Sequence, residues 1–150
     1  MSRRTLNGID ANNQRIVGVG DPSAPTDGVN KRFIRYDWPT GCVGKPAAGE
    51  VFPYFVAPLS FIIPASMLSS RARAITPATA DATFTLNRVP VGSSTVSPIA
   101  TLKFAAGSSL GVFTMATDTL IADSDFLYWI APATQDNTLS DFSIVVAGVR

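Results

Sequence analysis

The sequence predicts an all-β domain, an antiparallel β-sandwich or jelly-roll knob, behind an extended N-terminal arm with one short helix. Three observations predict it. From residue 50 onward apolar residues recur at every second position, the period of a half-buried strand. Clusters of turn-forming residues separate these runs. The first 38 residues differ in kind, holding six basic residues and few clustered apolar ones.

Residues 1 to about 24 are polar and turn-rich. Ile16, Val17 and Val19 are their clustered apolar side chains, enough for a short strand that needs a partner surface. Residues 26–36 have a helical pattern. Thr26 or Asp27 can cap the first turn, and Val29, Phe33 and Tyr36 share one face at i, i+4 and i+7. Lys31, Arg32 and Arg35 suit the negative end of the helix dipole. So short a helix is unstable alone, so the apolar stripe must dock on its own domain or on neighbouring copies. Residues 39–49 are punctuated by Pro39, Gly41, Pro46 and Gly49 and read as a linker. The expected division is an arm over 1–38, a linker over 39–49 and a β-rich knob over 50–150.

Within the knob, strands are expected at 51–57, 60–63, 71–76, 82–88, 98–104, 110–116, 126–131 and 142–149. Ala82, Phe84 and Leu86 alternate with Thr83, Thr85 and Asn87; Phe142, Ile144 and Val146 alternate with Ser143 and Val145. The run Phe126-Leu127-Tyr128-Trp129-Ile130 is apolar on both faces, as in a central strand or one at a subunit contact. Val91-Gly92-Ser93-Ser94, Ala106-Gly107-Ser108 and Gln135-Asp136-Asn137 supply turns. Many short strands with regular turns argue for a sandwich or jelly roll. Residues 51–68 approach the length of a membrane span, but Pro53, Pro58 and Pro64 interrupt them and favour short extended segments.

The 150 residues are 46% apolar and only 15% charged, with a mean hydropathy of +0.23. Apolar surface of that extent favours burial between identical copies. The net charge of +1 argues against nucleic acid as a partner. Cys42 is the single cysteine, so no internal disulfide framework exists, and it reads as a small, partly buried loop residue. The chain has no histidine, which removes Ser-His-Asp and Cys-His catalysis. Asp123 and Asp125 are the closest pair of carboxylates and read as a solvated turn, far short of the ligands a Ca²⁺ cage needs. No metal or other cofactor is expected. Glycoside cleavage would need two carboxylates from distant strands, and the only Glu is Glu50.

Carbohydrate binding remains open on chemical grounds. Tyr128 and Trp129 lie on opposite faces of one strand, so either could face outward, although aromatic rings more often pack a core or a contact. Gln135, Asp136 and Asn137 could add hydrogen bonds from a loop, and the same residues also make an ordinary turn. Arg71 and Arg73 share one strand face, either solvated or paired with carboxylates of a neighbouring subunit.

The stretch Asn12-Asn13-Gln14-Arg15-Ile16-Val17-Gly18-Val19-Gly20-Asp21-Pro22, followed by Pro25-Thr26-Asp27-Gly28-Val29-Asn30-Lys31, resembles an element of tailed-phage fibre proteins near the end that joins the virion. Gly28 stands where the family usually has alanine, which weakens a helix by about 1 kcal/mol. The stretches 104–114 and 123–133 are similar, more weakly, to β-rich domains of phage tail-fibre and tail-tip proteins. The resemblance implies a homotrimeric virion protein. The basic start Met1-Ser2-Arg3-Arg4-Thr5-Leu6-Asn7 has no apolar run after it, and with the interrupted 51–68 stretch this gives the expectation of assembly in the host cytoplasm without membrane insertion. The arm would join other virion proteins, with Ile16, Val17, Val19, Val29, Phe33 and Tyr36 as attachment or oligomer contacts. The knob would meet a host surface glycan or another fibre. A head fibre or capsid-decoration protein of the same architecture is the first alternative, and a host-surface polysaccharide hydrolase the second.

Overall fold

The computed structural model describes residues 35–149. The expected short strand at Ile16–Val19 and most of the expected helix, with Val29 and Phe33, lie outside the described residues. The described part is all-β and antiparallel: β1 Arg35–Cys42, β2 Phe55–Val56, β3 Phe61–Ile63, β4 Arg71–Thr76, β5 Ala82–Val89, β6 Ser97–Phe104, β7 Gly111–Thr114, β8 Thr119–Ile121, β9 Phe126–Ile130 and β10 Ser140–Val149. One 3-10 turn, Ala65–Met67, lies between β3 and β4.

These strands form two five-stranded sheets. The first has the order β1-β10-β3-β8, with β4 also paired to β10; the second has the order β2-β9-β5-β6-β7. Strand β10 organises the first sheet. β1 runs along one side of it, from Arg35 opposite Val149 to Cys42 opposite Phe142. On the other side β4 takes the stretch from Ser140 to Val145, and β3 takes Val149. The sheets touch at one margin, where Arg73 of β4 bridges to Leu110 and the Ala74 amide donates to the Ser109 carbonyl at 2.9 Å.

Alternation decides the packing. In β4 Ala72 and Ala74 are buried while Arg71, Arg73 and Ile75 are exposed. In β10 Phe142, Ile144 and Val146 point into the core and Ser143 points out. Phe142 sits at the centre of an aromatic cluster, with ring centroids 5.1 Å from Phe84, 5.7 Å from Phe52 and 5.8 Å from Phe104. Phe84 and Phe104 belong to the second sheet, so these edge and tilted contacts lock the sheets face to face. Near the other margin Trp38 of β1 stacks on Phe55 at 4.9 Å, and Tyr36 stacks on Phe61 at 4.9 Å. Gly148 is required by this packing, because a Cβ there would collide with the Phe61 ring.

Three expectations need correction. The linker expected over 39–49 belongs to the domain. Its first four residues complete β1, and Trp38, placed at the end of the arm, is 6% exposed. Beyond β1, the Gly49 amide donates to the Pro132 carbonyl, and the Gly44 amide donates to the Asp141 carboxylate at 2.8 Å. Pro39 and Gly41 look like linker residues, but an edge strand tolerates proline because one side of its ladder is unpaired. Likewise, Tyr36 lies in a strand and not on the expected helix, so the stripe of Val29, Phe33 and Tyr36 does not extend to it. The expected strand over 51–57 shrinks to Phe55–Val56, with Val51 adding a single bridge to Ile130.

Because Phe142 of the first sheet packs against Phe84 and Phe104 of the second, Phe142→Ala should cost about 3–5 kcal/mol. Urea denaturation followed by tryptophan fluorescence measures this; a loss below about 1 kcal/mol would place the organising contact elsewhere.

Candidate functional site

The outer face of the second sheet carries an aromatic ledge. In β9 Leu127 and Trp129 face the core, both with no exposure, while Phe126 and Tyr128 face outward. Phe126 is 45% exposed. Tyr128 is only 8% exposed, because Tyr54 (63% exposed) lies edge-on against it at 5.0 Å. Tyr54 also meets Phe126 edge-on at 6.2 Å. In register, Phe126 sits between Val56 of β2 and Val89 of β5, and Tyr128 sits opposite Asn87. The accessible surface is therefore Tyr54 and Phe126, with Tyr128 as its floor.

Trp129 is no platform. Its indole packs 6.1 Å from Phe113 in the core, and its Nε1 hydrogen has no partner among the described residues. The period-two alternation already separated Tyr128 from Trp129. Tyr54 and Phe126 were missed: Tyr54 lies in an irregular stretch before β2, and Phe126 looked like one more apolar residue of a two-sided strand.

A buried ion pair holds the ledge in place. Asp125, the residue before Phe126, has no exposure. Its carboxylate accepts from Arg88 Nε at 2.7 Å, from the Val91 amide at 2.8 Å and from the Ala122 amide at 2.8 Å; Arg88 Nη2 adds a 2.7 Å contact. Its backbone carbonyl takes the Ala57 amide at 2.9 Å. Burial acts to raise the carboxyl pKa, but the Val91 and Ala122 amides and Arg88 outweigh it and hold the pKa below the ordinary value. The turn expected to be solvated at Asp123 and Asp125 is thus solvated only at Asp123.

The loop of Gln135, Asp136 and Asn137 lies elsewhere. Asp136 fastens it to the β4–β5 connection, just ahead of Ala82, whereas Tyr128 pairs with Asn87 near the far end of β5. The separation along β5 is roughly 20 Å, so the loop and the ledge do not form one site. Asp136 accepts the amides of Thr79, Ala80, Thr138 and Leu139, the last at 2.7 Å. Desolvation works to raise its pKa, but those four amides hold it far below the ordinary range. Its oxygens are occupied with these amides of its own loop and of the β4–β5 connection, while Gln135 and Asn137 are exposed.

Gln135, Asp136 and Asn137 line a cleft of about 340 Å³ together with Asp81. Hydrogen bonds from Lys103 and the Ala106 amide hold the Asp81 carboxyl below the ordinary value. Both carboxylates of the cleft are therefore ionised at neutral pH. A glycosidase general acid needs a raised pKa, and neither of these has one.

Of the expected attachment residues, Ile16, Val17, Val19, Val29 and Phe33 lie outside the described residues. Tyr36 is half-buried, with its ring committed to Phe61 and Phe55. Cys42 is half-buried at the end of β1, and burial, followed by the Glu50 and Asp141 carboxylates, raises its thiol pKa. It is a poor nucleophile at neutral pH. Among the described residues no three His, Cys, Asp or Glu side chains gather where they could hold a metal.

No family model matches the chain, and neither a curated protein nor a solved structure is significantly similar to it.

Truncating Asp125 leaves the partly buried Arg88 and two amides unpaired, so Asp125→Ala should cost about 3–5 kcal/mol. Arg88→Ala should be comparably damaging and the double variant less than additive, as a double-mutant cycle by urea melts will report. Asp136 has a lowered folded pKa, so its contribution is complete above the unfolded value near 3.9 and fades as pH falls below it. Asp136→Asn should flatten the decline of melting temperature between about pH 5 and pH 2. An unchanged acid slope would assign that decline to other carboxylates.

Proposed function

We propose that this chain is a structural protein of a tailed-phage virion: a short trimeric fibre held by its N-terminal arm, with the β-rich domain presenting the Tyr54–Phe126 ledge to host surface glycans. The order and spacing of Asp21-Pro22 and Pro25-Thr26-Asp27-Gly28-Val29-Asn30-Lys31 carry this reading, through their resemblance to the virion-joining element of tailed-phage fibres.

The ledge supports the recognition half. An exposed aromatic ring face offers an apolar platform to the C–H face of a sugar. Such a site needs rings that do not rearrange, and the Asp125–Arg88 pair beside Phe126 meets that need. The mechanism is binding: the accessible groups of the ledge are aromatic rings, and the carboxylates of the 135–137 cleft lack the protonation behaviour of an acid–base pair.

Immunogold labelling with antibodies to residues 50–150 tests the location. Labels on the tail are expected; labels on the capsid would move the protein to the head-fibre alternative, and unlabelled particles would end the virion reading. A glycan array probed with the full-length protein tests the ledge. Tyr54→Ala and Phe126→Ala should each weaken the best hit at least about tenfold without lowering the melting temperature by more than a few degrees. Undiminished binding would remove the ledge from recognition.

A further inference from the structure

We infer that copies of this chain associate through two complementary patches on the outer face of the first sheet, the Arg73 trough of one copy receiving the Asp123 patch of another. The inference rests on the oligomeric reading above and names the contact that builds it.

The first patch is a trough of about 670 Å³. Its floor is low because Arg73, Ser143 and Gly41 stand in register across β4, β10 and β1, leaving small side chains at two of three places. Gly41 must stay bare, since a Cβ there would collide with the Phe142 carbonyl oxygen. Val43 and Ile75, 96% and 81% exposed, line it. Arg73 is exposed and, among the described residues, has no ion-pair or hydrogen-bond partner for its guanidinium.

The second patch lies at the other end of β10. Val149, Ile62 and Leu120 pair in register across β10, β3 and β8. With Leu59 they line a groove of about 410 Å³, and all four are 39–58% exposed. Asp123 is the charged residue on its rim. Its amide donates to the Ser60 hydroxyl oxygen at 3.1 Å, but among the described residues its carboxylate has no partner.

Each patch therefore joins exposed aliphatic side chains to one charged group without a partner among the described residues, and these two are opposite; the other charge of the trough, Asp141, already accepts from the Gly44 amide and the Ser140 hydroxyl. Burying either alone costs desolvation without return, which disfavours like-on-like contact. Bringing Arg73 to Asp123 pairs both charges while covering the aliphatic groups around them. The patches are roughly 20 Å apart along β10, so one molecule presents both, and in a closed ring each copy gives its trough to one neighbour and its groove to the other. Pairing through the main chain of the β1 edge is the less favoured route, because Pro39 withholds an amide there.

Light scattering of the full-length protein at micromolar concentration tests this. Arg73→Glu and Asp123→Arg should each weaken association at least about tenfold, and the double variant should recover to within about threefold of the original, because the pair is restored with reversed sign. Ile75→Ser and Leu120→Ser, which leave both charges in place, should also weaken it. Circular dichroism must show each variant folded. Single variants that associate normally, or a double variant that stays dissociated, would overturn the contact. A trimer insensitive to all four changes would overturn it and leave the fibre reading standing. A dimer that responds as described would support the contact and sink the trimeric fibre. A monomeric original protein would overturn both.

Discussion

The fold depends on the requirement that β10 satisfy two partners at once. Its main chain must pair with β1 on one side and with β4 and β3 on the other. Its inward side chains, Phe142 first, must fit between rings that the second sheet supplies. A slip of one residue would turn Phe142, Ile144 and Val146 outward and bring Ser143 into the core, so burial fixes the register. The remaining strands of the first sheet take their positions from that register. The trough beside Ser143 and the groove beside Val149 are its two ends on the surface.

A second layer of order comes from aspartates that accept loop amides. Asp118 takes the Ala65 amide, Asp81 the Ala106 amide, Asp141 the Gly44 amide, Asp125 those of Val91 and Ala122, and Asp136 four more. The connections between short strands leave amides outside the sheet ladders, and a carboxylate satisfies them where no strand can. Aspartates that resemble candidate ligands or catalysts in the sequence are thus largely occupied with fastening connections. The same fastening keeps the Tyr54–Phe126 surface in one arrangement.

Much of the β architecture was legible because one face of each longer strand is buried. β4 has the expected limits of 71 and 76, and β5, β6 and β9 fall within a residue of expectation. β1 was hidden because Pro39, Thr40 and Gly41 carry local turn signals that its tertiary partner overrides. β8 was missed because three residues, Thr119–Ile121, are too few to show a period. At the site, alternation separated Tyr128 from Trp129 but could not say which side faced solvent. The placement of Tyr54 over Tyr128 depends on β2 meeting β9, a contact between distant parts of the chain that no local pattern announces.

The order of synthesis gives the β10 arrangement a further meaning. β10 leaves the ribosome after every strand it joins. At 5–20 residues per second, β1 waits on the order of 5–20 s for the partner that covers its edge. During that interval Trp38 has no completed sheet behind it, and β4 lacks its main neighbour. The second sheet is ahead in time, because β5 and β6 are joined by a short connection and pair as soon as both emerge. Newly made chains therefore pass through a state in which β5, β6 and β7 can pair while β9 and β10 are still to come and β1 and β4 stay exposed, and crowded synthesis of many copies in one cell makes that state the point at which chaperones matter most.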